Sequence, residues 1–192
     1  MGYNDNANEY YESLIEGGGV NDAGQLNIRS NFQRAIDEGR AYSVRGNEVG
    51  VAIGATYDMA IVTGSNPASI AGVSVYAIGE ALEFSMWEDA TVTGGTEPPQ
   101  LNFNRTLSAL IFESNVLYEP TVTDDGLLLS TTSLYGTQAS NSIAAIIEVA
   151  VNVEFILKAN TTYLFRLTNI DAVSAANVQM AISATDSIAQ GS

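Results

Sequence analysis

The stretch whose reading decides the fold is Ile143 to Asn169, IAAIIEVAVNVEFILKANTTYLFRLTN. In its first half the odd positions Ile143, Ala145, Ile147, Val149, Val151, Val153, Phe155 and Leu157 are apolar, while Glu148, Asn152, Glu154 and Lys158 fall on even ones. A period of two marks a pleated strand with one face on a core. After Lys158-Ala159-Asn160-Thr161 the alternation resumes, with Tyr163, Phe165 and Leu167 inward and Arg166 and Thr168 outward. This pattern predicts an antiparallel hairpin closing on a short polar loop. Residues 143–158 in one strand would span roughly 53 Å at about 3.3 Å each, which is long. Pairing is therefore expected from about Glu148, with Ser142 to Ile147 a bend or a separate strand.

The rest of the chain from Arg40 onward is also β in pattern. Val49, Val51, Ile53, Ala55, Tyr57, Met59 and Ile61 alternate with small or polar residues up to the turn Thr63-Gly64-Ser65-Asn66-Pro67. Val73 to Ile78 and Leu82 to Met86 follow, the second with Leu82, Phe84 and Met86 on one face and Glu83, Ser85 and Trp87 on the other. Thr93 to Gln100 is a loop, because Pro98-Pro99 cannot donate to a ladder. Leu101 to Phe112 and Val116 to Val122 read as strands, and Thr123-Asp124-Asp125-Gly126 as a tight turn before Leu127 to Leu129. Tyr135 to Ser142 is a loop of small residues, Val178, Met180 and Ile182 share a face of the last strand, and Asp186 to Ser192 is a soft tail. One short entry helix, residues 31–38, is expected, capped by Ser30 or Asn31. It carries a Phe32, Ala35, Ile36 stripe, and Gly39 stands where a left-handed residue ends it. The fold class that follows is all-β: an antiparallel β-sandwich, jelly-roll-like, with an extended N-terminal arm and one short helix.

Residues 1–29 form that arm, and residues 30–192 the sandwich domain. The arm is acidic and rich in Asn and Gly, and is dotted with Tyr3, Tyr10, Tyr11, Leu14 and Ile15. Such a composition buries too little surface to fold alone, so its order must come from another surface. Tyr3, Tyr10, Tyr11, Leu14 and Ile15 are therefore candidate interface residues, with the triple glycine Gly17 to Gly19 a hinge. Trp87 joins them, because a large ring on the outward parity of its strand is what association buries; the competing reading packs it under a loop.

The composition excludes much chemistry. The 192 residues include 22 acidic and 7 basic ones, a net charge of −15, which disfavours nucleic acid and anionic membrane surfaces. That balance suits a protein crowded at high local concentration, or one meeting a basic surface. Without cysteine there is no disulfide, thiolate zinc site or cysteine nucleophile, and without histidine no ordinary triad and no imidazole metal ligand. No charged leader precedes an apolar run and Glu148 and Glu154 break the most apolar window, so neither a signal peptide nor a membrane span is expected. The triplets at Asn104 and Asn160 are read as turn or edge residues. Glu80, Glu83, Glu88 and Asp89 contain enough carboxylates for glycoside hydrolysis, but their parity and the turn after them favour a solvated surface. Asp124-Asp125-Gly126 lacks the spacing of a calcium loop, and turn chemistry accounts for it. No cofactor, metal or catalytic residue is expected, and the protein is read as non-enzymatic.

Four strings carry a resemblance. They are Trp87-Glu88-Asp89-Ala90-Thr91-Val92-Thr93-Gly94-Gly95-Thr96, Asn102-Phe103-Asn104-Arg105, Glu113 through Glu119-Pro120-Thr121-Val122-Thr123, and Phe155 to Asn169. Together with the entry Phe32-x-x-Ala35-x-x-x-Gly39-x-Ala41-Tyr42, they resemble small virion structural proteins of tailed bacteriophages over roughly residues 32–182. The resemblance departs at Ala181 to Asp186, which lacks a ring. It implies a decoration or cement protein on the outer capsid surface of the virion. Its partners would be the major capsid protein and other copies of itself, a trimer about a local symmetry axis. No catalytic residue carries over, and Arg166 is expected to pair across strands with a carboxylate. The alternative is a head-fibre or tail-associated adsorption module that binds host glycans, with Trp87 as its aromatic platform.

Overall fold

A computed structural model describes residues 31–78, 81–107, 113–135, 145–149, 155–172 and 174–186. The arm, residues 1–29, lies outside the described residues, as do residues 136–144 and the tail 187–192. Helix α1 (Asn31–Asp37) is followed by β1 (Ala41–Val51), β2 (Thr56–Val62), β3 (Ala68–Ile78) and β4 (Ala81–Glu88). An insertion carries β5 (Thr91–Thr93), β6 (Leu101–Asn102), β7 (Asn115–Tyr118) and β8 (Thr121–Asp124). Then come β9 (Leu127–Tyr135), β10 (Ala145–Val149), β11 (Phe155–Leu157), β12 (Thr162–Asn169) and β13 (Ala176–Asp186).

One sheet runs β10-β3-β13-β1-β6, with β11 also on β3, and the other β7-β2-β12-β4-β9. With β10 and β11, both on β3, counted as one strand, successive principal strands alternate between the sheets except β4 and β9, which pair with each other. The last two slot into the middle, β12 between β2 and β4, and β13 between β1 and β3. This is the double Greek-key order of a jelly roll. The two inner faces share one core that includes Tyr42, Val44, Val75, Met180 and Ile182 from the first sheet and Met59, Phe84, Tyr163, Phe165 and Leu167 from the second.

The supposed hairpin at Lys158 to Thr161 is not one. β11 pairs with β3 in one sheet and β12 with β2 and β4 in the other, so the loop crosses between layers. Inward parity survives the crossing because both arms face the same core from opposite sides. Pairing also starts earlier than expected, at Ala145 opposite Ala77. For the same reason the run Val49 to Val62 is two strands, turning at residues 52–55 with Ala55 N–H donating to Ala52 C=O at 2.9 Å. Of the expected strand Leu101 to Phe112, residues 108–112 lie outside the described residues, and residues 103–107 are not strand. Only Leu101–Asn102 pairs, and Asn104 caps a turn by accepting from Thr106 N–H at 3.1 Å.

Buried side chains tie the crossings at each end. Thr63 Oγ1 donates to Lys158 C=O at 2.6 Å and accepts from Thr161 N–H at 2.8 Å, joining the β2–β3 connection to the β11–β12 loop. At the opposite end Asn169, fully buried, donates through Nδ2 to Val51 and Ser174 C=O, both at 2.9 Å. Its Oδ1 accepts from Asp171 N–H at 3.0 Å. One side chain thus satisfies three backbone groups where two crossings meet.

Helix α1 ends as its sequence specifies. Gly39, at φ 74°, donates to Ile36 C=O, and Arg40 N–H donates to Ala35 C=O at 2.8 Å, the double bond of a Schellman end. The helix docks by the buried Ala35 and by Phe32, whose ring meets Phe103 edge-on at 5.7 Å. Asn102 Nδ2 fixes the exit by donating to Gly39 C=O at 2.7 Å.

Candidate interaction surfaces

Of the six residues singled out for association, Tyr3, Tyr10, Tyr11, Leu14 and Ile15 lie outside the described residues. Trp87 is half-buried on the outward side of β4, opposite Leu164 and Leu128, and its Nε1–H donates to Ser85 Oγ at 3.0 Å. The indole's one polar group is thus spent on a neighbour of its own strand.

Arg166, on the same outward face, pairs with the residue directly opposite it on β2. Its guanidinium takes both oxygens of Asp58, Nε to Oδ1 at 2.7 Å and Nη2 to Oδ2 at 3.0 Å, and donates through Nη1 to Asp125 Oδ1 at 2.8 Å. The planar fork suits this two-carboxylate grip, and the carboxylates raise the Arg166 pKa, the Asp58 hydrogen bonds most. Asp125 belongs to the Asp124-Asp125-Gly126 turn, where Asp124 Oδ1 accepts from Gly126 N–H at 3.0 Å. Both aspartates are therefore engaged within the protein. Among the described residues no group of acidic side chains is placed to hold a metal ion.

Glu88 departs from the solvated reading of its cluster, although Asp89 is exposed as expected and Glu80 lies outside the described residues. Glu88 continues the inward parity of Leu82, Phe84 and Met86 and is buried at the rim of the core. Its carboxylate accepts from Lys158 Nζ at 2.6 Å and from Tyr163 Oη at 2.8 Å. Those two hydrogen bonds, Lys158 first, hold its carboxyl below the usual range. Lys158 is correspondingly raised by Glu88. The parity of β4 already contained this signal, but the turn at Asp89 masked it.

The side chains of Tyr57 and Tyr118 close the β1–β2 corner. A Cβ built on Gly46 would lie 2.0 Å from Tyr57 Oη and 2.8 Å from Tyr118 Cε1, so only glycine fits there. Among the described residues Tyr57 Oη has no hydrogen-bond partner, and burial pushes the pKa of both phenols up, an effect the Arg45 backbone partly offsets at Tyr118.

Strand β9 presents a different surface. It pairs with β4 on one side only among the described residues, and eight of its nine residues are exposed. Leu127, Leu128 and Leu129 are 61%, 44% and 37% exposed, and LLLSTTSLY contains no charge, proline or glycine. Sheet edges are ordinarily protected by such residues, and among the described residues this nine-residue edge has none of them. The sequence showed this run of leucines, but its lack of alternation gave no hint of which side was covered.

No protein-family model matches the chain, and no curated protein matches it. Among solved structures it is similar to the infectious bursal disease virus VP2 subviral particle, at 13% identity and a TM-score of 0.18. The alignment covers 88% of this chain and 45% of that one, so the chain spans under half the length of the protein it matches. At that TM-score the likeness carries no argument.

Proposed function

We propose that this chain is a non-enzymatic structural protein of a tailed-phage virion, decorating the outer capsid surface and binding the major capsid protein and other copies of itself. The observation that carries the reading is the uncharged edge β9, in a chain whose net charge is −15. Copies that repel one another over most of their surface meet most favourably along a strip without charge, where backbone pairing and leucine burial add contact area. The resemblance of the four strings to virion proteins supports the same reading. The two principal ionic clusters support it too, since each joins strands to one another and leaves the β9 edge free for contact.

In this reading the arm, residues 1–29, lies across neighbouring subunits, and many symmetry copies multiply a modest energy per copy. The test adds purified protein to undecorated heads and measures bound copies and resistance to mechanical or thermal rupture. Full-length protein should bind and strengthen the heads. A chain lacking residues 1–29 should remain folded and bind poorly, and Leu128→Lys should weaken association between copies. Heads that take up no full-length protein would refute the proposal.

A further inference from the structure

The outer face of the β1–β13–β3 sheet carries a second set of residues that no part of the reading above uses. Asn47, Gln179 and Tyr76 stand directly opposite one another on three adjacent strands. All three lie on the outward parity, so their side chains form one row across the sheet. The next row, Arg45, Ala181 and Ser74, is mostly small, which leaves the Tyr76 ring raised at its edge and 38% exposed.

A bulge builds the wall. Between the pairs Glu48–Val178 and Val51–Ala176 the register of β1 shifts, so Val49 and Gly50 together face Asn177. Gly50 N–H donates to Asn177 Oδ1 at 2.9 Å, which pins that amide with its oxygen turned to the bulge and its NH2 left to solvent. Val49 stands beside it, and the result is an open groove of about 320 Å³. The side chains of Asn47, Glu48, Tyr76 and Gln179 make no hydrogen bond within the described residues.

We propose that this groove binds a neutral saccharide chain. Three amides, those of Asn47, Asn177 and Gln179, offer both donors and acceptors, which matches hydroxyl groups that are themselves both. An exposed tyrosine ring gives the C–H face of a pyranose an apolar surface to stack on. The overall negative charge works against sulfated, phosphorylated or sialylated chains. An open groove binds one short saccharide weakly, so useful adhesion comes from many copies displayed together. The site is distinct from Trp87, which lies on the other sheet, and its existence does not depend on a virion location.

The test uses the full-length protein and neutral oligosaccharides of glucose, galactose, mannose and N-acetylglucosamine, with heparin and polysialic acid as acidic counterparts. Titrations followed by NMR report single-site binding whatever the oligomeric state. At least one neutral series should bind with Kd near or below about 10 mM and shift the amide signals of Asn47, Asn177 and Gln179. Tyr76→Ala should weaken that binding by about tenfold or more, the loss of roughly 1.4 kcal/mol, while Tyr76→Phe and Trp87→Ala retain it. An unchanged NMR fingerprint elsewhere separates loss of the ring from loss of the fold. The proposal is overturned by the absence of neutral binding at that concentration, by binding of the acidic chains alone, or by binding that survives Tyr76→Ala.

Discussion

The two sheets share one core, yet their outer faces differ. On the β2–β12–β4 sheet the outward residues Ala60 and Leu164 are 0% exposed, and Asp58 is buried under Arg166. On the β1–β13–β3 sheet the outward positions Arg45, Asn47 and Tyr76 meet solvent, and Ala181 and Ser74 between them are small. The insertion between β4 and β9 accounts for part of the contrast. Between Glu88 and Leu127 it adds β6 to the first sheet and β7 to the edge of the second, with Pro98 and Pro120 buried and Asp125 reaching Arg166. The first sheet has α1 at the end near Ala41 and the open groove at the other. One face is thus engaged in holding the protein together, while among the described residues the other stays open around the groove.

If that division is correct, substitutions at matching outward positions have unequal costs. The largest effect is expected for Arg166→Ala. It leaves Asp58 buried and charged without its partner, and breaking a buried pair from one side costs about 3–5 kcal/mol. Urea denaturation would measure it, and a loss below about 1 kcal/mol would mean that water already reaches Asp58. Leu164→Ala comes next, at about 2–5 kcal/mol, the range for emptying a closed apolar site. Its neighbours Tyr163 and Phe165 face the main core, so the measured loss tests whether the outer layer is packed as closely as the inner one.

This contrast also explains what the sequence could tell. Alternation identifies a strand where one face is apolar and the other wet, and Val178, Met180 and Ile182 on β13 fit it cleanly. It weakens where both faces are covered: Tyr163, Leu164 and Phe165 are buried in succession, so parity alone cannot say that Leu164 has a layer above it. Nor does alternation report which sheet a strand enters. A chain crossing from one layer to the other keeps its greasy side inward, and for that reason Lys158 to Thr161 looked like a hairpin closure. Local chemistry was more legible. Gly39 ends its helix, and Arg166 finds a carboxylate across the strand. The groove was hidden, because Asn47, Tyr76 and Gln179 are far apart in sequence and only strand register brings them into one row.

A smaller effect is expected at the rim, where neither face is involved. Hydrogen bonds from Lys158 and Tyr163 lower the Glu88 pKa in the folded state, so the native protein binds that proton less readily than the unfolded chain. The stabilisation is therefore present above the unfolded carboxylate range and is lost as pH falls through the folded value. Lys158, raised by Glu88, contributes below its unfolded range and loses that contribution only in strong alkali. Thermal unfolding across an acid series should show wild type more stable than Glu88→Gln near neutrality, the gap closing as the carboxylate is protonated. A gap that stayed constant to the lowest pH would assign the difference to shape rather than charge.

The smallest effect belongs to the open face. Arg45 stands one row from the groove, exposed, with Ala181 opposite it on β13. Removing an exposed charge that covers no core should change stability by no more than about 0.5 kcal/mol. Arg45→Ala measured beside Arg166→Ala therefore compares the same residue type on the two outer faces. If both variants lost several kcal/mol, the first sheet would have to be covered as well, and the groove would be closed to any ligand. A large loss for Arg166 with almost none for Arg45 keeps the two faces distinct and leaves the row of Asn47, Gln179 and Tyr76 open to solvent.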